Sequence, residues 1–105
     1  CVPCKKELPD LSLLKSKIKK YNIDVLTISI DKKNIRDQLE FLSKNGGSNL
    51  DHLFDKEMKI FKALKLRGIP TTIIVDQNSF IISKHEGVLK WGEDEIINKI
   101  KSLFY

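Results

Sequence analysis

Two cysteines separated by two residues open the chain, and no other residues in it suggest chemistry so directly. Cys1 and Cys4 are the only cysteines in the sequence, and an apolar pattern with helical spacing follows them. At the first turn of a helix, the free backbone N–H groups and the positive end of the helix dipole stabilise a thiolate. A second thiol within reach releases a mixed disulfide by exchange. The spacing therefore predicts a redox-active dithiol.

Two other uses of a cysteine pair remain open at this point. A structural zinc ion needs four ligands, and the sequence adds only His52 and His85, which are distant from the cysteines and from each other. An inert disulfide is the second alternative, but a two-residue spacer closes a tight loop that constrains little of the chain. The redox-active dithiol explains the pattern best, and no metal site is predicted.

The composition is that of a single soluble domain spanning residues 1–105. Hydrophobic residues make up 41% and charged residues 31% of the chain, as in ordinary globular proteins. The formal net charge of +5 comes mostly from scattered lysines, without the aromatic interleaving or motif of a nucleic-acid-binding protein. No apolar run approaches the roughly 20 residues that cross a bilayer. We therefore expect neither nucleic acid nor a membrane span within this sequence.

The elements that position the cysteines follow from hydrophobic spacing and from turn residues. We expect two strands, at 25–30 and 69–76, to be buried on both faces. Asp55 is expected to cap a helix, and Pro9 to kink the first helix. The predicted order is helix 3–20, strand 25–30, helix 34–44, short strand 53–54, helix 56–64, strand 69–76, antiparallel strand 80–84 and helix 93–104. This order is typical of an α/β fold with helices on both faces of the sheet.

Apolar residues at helical spacing identify the faces that we expect to point inward. In the first helix they are Leu8, Leu11, Leu14 and Ile18, in the second Ile35, Leu39 and Leu42, and in the last Ile96, Ile97, Ile100, Leu103 and Phe104. Met58 is interpreted as a core residue, and the two histidines as surface or loop residues. A helix that carries two such cysteines normally follows a central parallel strand. No residues for that strand precede Cys1, so we expect an N-terminally truncated domain.

Three motifs in a fixed order resemble the thioredoxin superfamily. They are the Cys1-Val2-Pro3-Cys4 helix start, Pro9 five residues after the second cysteine, and Arg67-Gly68-Ile69-Pro70-Thr71-Thr72 at the entry to a strand. The resemblance implies a three-layer sandwich with a mixed sheet and helices on both faces. It also implies that Pro70 follows a cis peptide bond and lies against the disulfide. There it keeps backbone groups of the loop free for substrate and denies a metal ion the space beside the thiols.

Within the superfamily, the sequence is most similar to the TlpA/ResA-like thiol–disulfide oxidoreductases. The stretch from Cys4 to Pro9 resembles their C-[RK]-x-E-x-P motif, and the segment from Gly87 to Trp91 resembles the end of their domain before the last helix. A long stretch between Asp31 and Pro70 holds an extra helix and a short strand, as in this subfamily. The strand and tryptophan usually found before the first cysteine do not occur here.

The resemblance and the chemistry of thiols together suggest roles for individual residues. Cys1 is the expected nucleophile, and Cys4 the thiol that resolves the mixed disulfide. Glu7 lies one turn beyond Cys4, where it is expected to exchange a proton with the thiols. The alternative is a solvent-facing glutamate favoured by the helix dipole. The residues expected to contact substrate are Val2, Pro3, Ile69, Pro70 and Trp91, although a tryptophan at position 91 is also typical of a core or groove wall.

The expected function is thiol–disulfide exchange on protein substrates outside the cytoplasm, in the periplasm or at the outer face of the cytoplasmic membrane. The absence of a histidine between Cys1 and Cys4 favours a reductant, supplied by an upstream thiol–disulfide donor and using no cofactor. The resemblance implies an N-terminal anchor or signal and a role in maturing cytochrome c or copper-site proteins. Two alternatives are a copper or zinc carrier that uses the same thiolates, and a redox-silent binding module.

Overall fold

A computed structural model describes residues 2–32 and 34–104 of the chain. The α/β class and the order of the elements are as predicted, with ends that differ by a few residues. Within the described ranges, no helix combines the length and the apolar character needed to cross a bilayer. The elements are α1 (Val2–Ile18), a 3-10 turn (Lys19–Tyr21), β1 (Leu26–Ser29), α2 (Ile35–Lys44), β2 (Asp51–Phe54), α3 (Lys59–Ala63), β3 (Thr71–Val75), β4 (Ile81–Glu86) and α4 (Asp94–Phe104).

Helix α1 carries the second cysteine and contributes buried residues to both core clusters. It continues through Pro9, which therefore does not end it. The predicted inward positions Leu8, Leu14 and Ile18 are buried. After the 3-10 turn, Asn22 adopts a left-handed conformation (φ 59°) and stops the helical backbone, as asparagine does more readily than most residues.

The strands form two ladders, one parallel and one antiparallel. β1 and β2 run parallel, with Leu26 opposite Asp51. β3 and β4 run antiparallel, with Thr71 opposite Glu86 and an irregularity between Ile74 and Val75. No strand within residues 2–32 and 34–104 joins the two ladders. Both pairings of the expected mixed sheet are thus present, but as separate pairs of strands.

The prediction that β1 is buried on both faces is wrong. Leu26 and Ile28 are 55% and 45% exposed, whereas the intervening Thr27 and the following Ser29 are half-buried. A strand reaches burial on both faces only when layers cover both sides of its sheet. The Leu26 and Ile28 side of β1 lacks a full covering layer among the described residues.

Helix α2 also departs from its predicted inward face. Leu42 is buried, but Ile35 and Leu39 are 46% and 48% exposed, and Gln38 is buried instead. The helix begins where predicted, because the Asn34 side chain accepts a hydrogen bond from the Asp37 N–H. Local capping chemistry determines where the helix starts, whereas the face that it buries depends on its neighbours.

The core consists of two clusters that meet at α1. The larger one joins α1, residue 91 and α4, and the smaller one joins the start of α1 to α2 and the following loop. Leu11 and Val25 pack against both clusters. These clusters hold the first turns of α1 in place. Their buried members are Leu14, Ile18, Trp91, Ile97 and Ile100 in the larger cluster, and Leu8, Leu42 and Leu50 in the smaller.

The predicted cap of α3 is confirmed, although the helix begins at Lys59. Asp55 is buried, and its carboxylate accepts three backbone hydrogen bonds, from Lys59 (2.9 Å), Ile60 (2.9 Å) and Phe61 (3.2 Å). Three of the unpaired N–H groups at the helix start are thereby satisfied.

We expect Asp55→Ala to lower the free energy of unfolding by about 2 kcal/mol, because it leaves these N–H groups without their acceptor. Urea denaturation measures the change. The control is Glu57→Ala, which removes an exposed carboxylate nearby and is expected to cost under about 0.5 kcal/mol. Equal losses in the two variants would contradict the capping role.

Candidate active site at the start of the first helix

The second cysteine lies in the first turn of α1. Cys4 is half-buried and disulfide-bonded, and no described cysteine is free. Cys1, the predicted nucleophile, lies outside the described residues. Val2 and Pro3, predicted to contact substrate, are both exposed, Val2 by 66%. The turn of helix around Cys4 therefore presents accessible side chains to an approaching molecule.

Glu7 is buried, which overturns the alternative of a solvent-facing glutamate. Its side chain is 2% exposed, one turn beyond Cys4 on the same helix. Oε2 accepts hydrogen bonds from the backbone N–H of Leu89 (3.0 Å) and from the indole Nε1–H of Trp91 (2.7 Å). A buried carboxylate requires such donors, because its desolvation is otherwise very costly. Two donors from the segment before α4 meet this need.

Both hydrogen bonds end on the same oxygen, which distinguishes the two carboxylate oxygens chemically. Each oxygen offers about two acceptor positions, so the Leu89 and Trp91 donors occupy those of Oε2. Neither of these two bonds uses Oε1. The two oxygens of Glu7 therefore differ in their hydrogen bonding.

Trp91 lies in the core instead of on a substrate surface. The side chain is 3% exposed and belongs to the larger core cluster. The ring of His85 meets it edge-on, with centroids 5.8 Å apart and planes at 89°. A side chain so deeply buried offers almost no surface to a protein substrate. We therefore revise the predicted substrate contact at Trp91 to a hydrogen bond that positions Glu7.

Two features of the sequence are consistent with the hydrogen bond between Glu7 and Trp91. Glu7 precedes Leu11, Leu14 and Ile18 at spacings of four, three and four residues, so it continues the inward stripe of α1. A buried tryptophan usually needs an acceptor for its indole N–H. Only the tertiary structure shows that the buried Glu7 carboxylate is the acceptor for the Trp91 indole N–H.

The proline loop contains the cis peptide bond that the resemblance implied. The Ile69–Pro70 peptide bond is cis. The Pro70 carbonyl accepts a hydrogen bond from the Gly87 N–H (2.9 Å), and the Thr71 hydroxyl donates to the Gly68 carbonyl (2.7 Å). Ile69 is 48% exposed, and its N–H and C=O make no backbone hydrogen bond within the described residues. These two groups are open to an extended chain.

An ion pair ties the start of this loop to β4. Arg67 Nη2 lies 3.0 Å and 2.9 Å from the two carboxylate oxygens of Glu86. The guanidinium holds the pKa of Glu86 below its ordinary value, with a smaller contribution from Lys84. Glu86 therefore stays ionised near neutral pH and serves as an anchor for the loop.

The segment from Gly87 to Trp91 connects the proline loop with the dithiol helix. Its first residue donates to the Pro70 carbonyl, and its third and fifth residues donate to Glu7. Five consecutive residues thus contact both parts of the predicted site. Among the described residues, this one segment therefore hydrogen-bonds both to Pro70 and to Glu7.

The two histidines, expected at surface or loop positions, are half-buried on strands. His52 is on β2 and His85 on β4. Burial lowers the pKa of His52, whose Nδ1 lies 2.6 Å from the Thr27 hydroxyl. Within the described part of the chain, no three His, Cys, Asp or Glu side chains form a group suited to a metal ion.

The chain belongs to the AhpC/TSA family, whose model matches residues 1–84. Its fold is thioredoxin-like. The crystal structure of a protein from Chlorobium tepidum, assigned as the thiol:disulfide interchange protein DsbE, superposes with a TM-score of 0.83. This match covers 97% of the present chain and 71% of that one, at 22% sequence identity.

Two curated relatives are thiol–disulfide oxidoreductases named ResA. The protein from Halalkalibacterium halodurans is 25% identical over 87 residues, which are 83% of this chain and 48% of that protein. The protein from Geobacillus kaustophilus is 23% identical over 78 residues, or 74% of this chain and 44% of that protein. The chain therefore spans about half the length of the curated relatives that it matches.

Proposed function

We propose that this chain is a thiol–disulfide oxidoreductase that acts on protein substrates through Cys1 and Cys4. The observation that carries the proposal is the buried Glu7 carboxylate, held by Leu89 and Trp91 one turn from Cys4. A structural disulfide at a helix start has no need of a buried carboxylate beside it. A dithiol that gains and loses protons in each cycle needs a nearby group that accepts and returns them.

The exchange runs in two displacements. The Cys1 thiolate attacks one sulfur of a substrate disulfide, forms a mixed disulfide and releases the other substrate sulfur as a thiolate. The Cys4 thiolate then attacks the Cys1 sulfur, which releases the second substrate thiolate and leaves a disulfide between Cys1 and Cys4. Two electrons pass to the substrate. Glu7 takes the proton of the Cys4 thiol, which makes Cys4 nucleophilic when the mixed disulfide is present.

The substrate chain lies along the proline loop. Ile69 presents an N–H and a C=O that make no backbone hydrogen bond among the described residues, and such groups add strand-like hydrogen bonds to an extended peptide. Val2 and Pro3 border the reacting sulfurs on the other side. These contacts place a protein disulfide next to Cys1 without requiring a particular sequence in the substrate.

Two further proposals concern the direction of electron transfer and the cellular compartment in which the chain acts. The similarity to proteins named ResA and DsbE supports a role outside the cytoplasm, as a reductant of cysteine pairs in the maturation of cytochrome c or copper-site proteins. An upstream thiol–disulfide donor restores the dithiol after each turnover.

The reduction potential of the Cys1/Cys4 pair tests the proposal. Equilibration with defined glutathione or dithiothreitol mixtures, followed by alkylation of free thiols, yields the fraction reduced. Because no histidine lies between the cysteines to stabilise a thiolate, we expect a value nearer about −270 mV than about −120 mV. A potential at the oxidising end would contradict a reductant. A pair that exchanges with neither couple would contradict the proposed activity.

A further inference from the structure

A groove runs beside the dithiol helix, between α1 and the end of α2. It is an open groove with a volume of about 500 Å³, lined by Val2, Lys5, Lys6 and Pro9 on one side and by the Lys44–Gly46 stretch on the other. The four α1 residues recur at spacings of three, one and three, so they form one stripe along the helix. Their stripe starts next to the dithiol.

The walls of the groove are held together by close packing. Gly46 has a positive φ of 85°, and a side chain there would come within 3.3 Å of Pro9 Cγ. Glycine therefore allows the end of α2 to approach Pro9 closely. Beneath this contact, Leu8, Leu42 and Leu50 form the smaller core cluster. The groove is part of the packed structure at the point where its two helices meet.

The charge that lines the groove has a single sign. Lys5, Lys6 and Lys44 contribute three ammonium groups, and none of the described residues that line the groove carries a carboxylate. The nearest recorded ion pair joins Lys44 to Glu40 at 3.0 Å, and both side chains are more than half exposed, so water weakens that pair. The carbonyls at the end of α2 oppose this positive charge only partly, because the Phe41 carbonyl already accepts hydrogen bonds from Asn45.

We propose that this groove binds an acidic segment of the protein substrate next to its disulfide. The inference rests on the proposed function, because the groove contacts a protein substrate only if the neighbouring cysteines exchange disulfides with that substrate. Charge complementarity selects the occupant: the three lysines attract carboxylates, and the exposed Val2 and Pro9 beside them contact the apolar part of a peptide chain. Exposed charges act mainly on the rate of encounter, so the preference weakens as salt is added.

Two matched peptides test the preference with the unaltered protein. Both carry the same disulfide, flanked by glutamates in one and by lysines in the other, and neutral hydroxyethyl disulfide serves as a third substrate. We expect kcat/KM to be on the order of tenfold higher for the glutamate peptide at low ionic strength. Near 1 M salt, where the screening length is about 3 Å, the ratio should approach one.

Two double variants separate the groove from the overall charge of the protein. Lys6→Glu/Lys44→Glu reverses two groove charges and is expected to abolish or invert the ratio between the peptides. Lys56→Glu/Lys62→Glu makes the same charge change at exposed positions on and before α3, outside the groove, and should keep most of the ratio. Circular dichroism of each variant confirms that it is folded.

The outcomes distinguish the two proposals. Equal kcat/KM for the two peptides with the unaltered protein would overturn the groove proposal, and so would an equal loss of preference in both double variants, which indicates long-range attraction by net charge. Absence of exchange with all three substrates, including the neutral disulfide, would instead overturn the proposed oxidoreductase activity. A ratio that is lost only in the groove variant supports the acidic-substrate groove.

Discussion

Replacing Glu7 with glutamine is expected to slow disulfide exchange by about 100-fold while leaving the protein folded. The glutamine carbonyl can accept the hydrogen bonds from Leu89 and Trp91 that Oε2 accepts now, so the buried N–H groups keep their acceptor. The amide cannot take up a proton as the carboxylate can. The measurement is the exchange rate with a model disulfide as a function of pH, in which the step assigned to Glu7 should disappear.

Two further variants show whether this loss comes from proton transfer. Glu57→Gln makes the same chemical change at an exposed glutamate beside α3 and should leave both rate and pH profile unchanged. Trp91→Phe removes one donor to Oε2 but keeps an aromatic ring in the core. It should slow exchange less than Glu7→Gln, because the carboxylate remains and loses only one of the two hydrogen bonds that position it. A Glu7→Gln protein with the original pH profile would refute the role in proton transfer.

Replacing Cys4 with serine is expected to reduce catalytic turnover to the uncatalysed background. Without a second thiol, the mixed disulfide between Cys1 and the substrate has no internal nucleophile to release it. The covalent complex should therefore accumulate, and mass spectrometry of the unreduced protein should detect the added mass of one substrate chain. The stability of the fold should change little, since the half-buried Cys4 site accepts a side chain of nearly the same size.

The matched variant is Cys1→Ser, which should neither turn over substrate nor form the covalent complex. The opposite pattern, with a trapped complex in Cys1→Ser and none in Cys4→Ser, would exchange the roles of the two cysteines. Continued turnover in Cys4→Ser would show that the second thiol is not needed, and would contradict the two-step mechanism.

Local chemistry made several features of this protein predictable from its sequence. The start of a helix at the second cysteine, the capping by Asp55 and the antiparallel β3–β4 pair all depend on residues close together in the chain. Gly87 ends β4 with a positive φ of 90°, which glycine adopts without steric cost. Short-range sterics and hydrogen bonds determine such features, so their signals are present in a few neighbouring residues.

The environment of Glu7 could be decided only by the tertiary structure. Its two donors are 82 and 84 positions away in the sequence, and periodicity along α1 identifies a buried position without naming its partner. The same reason explains the errors at Leu26, Ile28 and Leu39, whose exposure depends on which layers cover them. Burial is a property of the assembled layers, so the sequence by itself determined the elements and the reactive motif. The packing decided which side chains became the core, which formed the groove, and which oxygen of Glu7 accepts the two hydrogen bonds from Leu89 and Trp91.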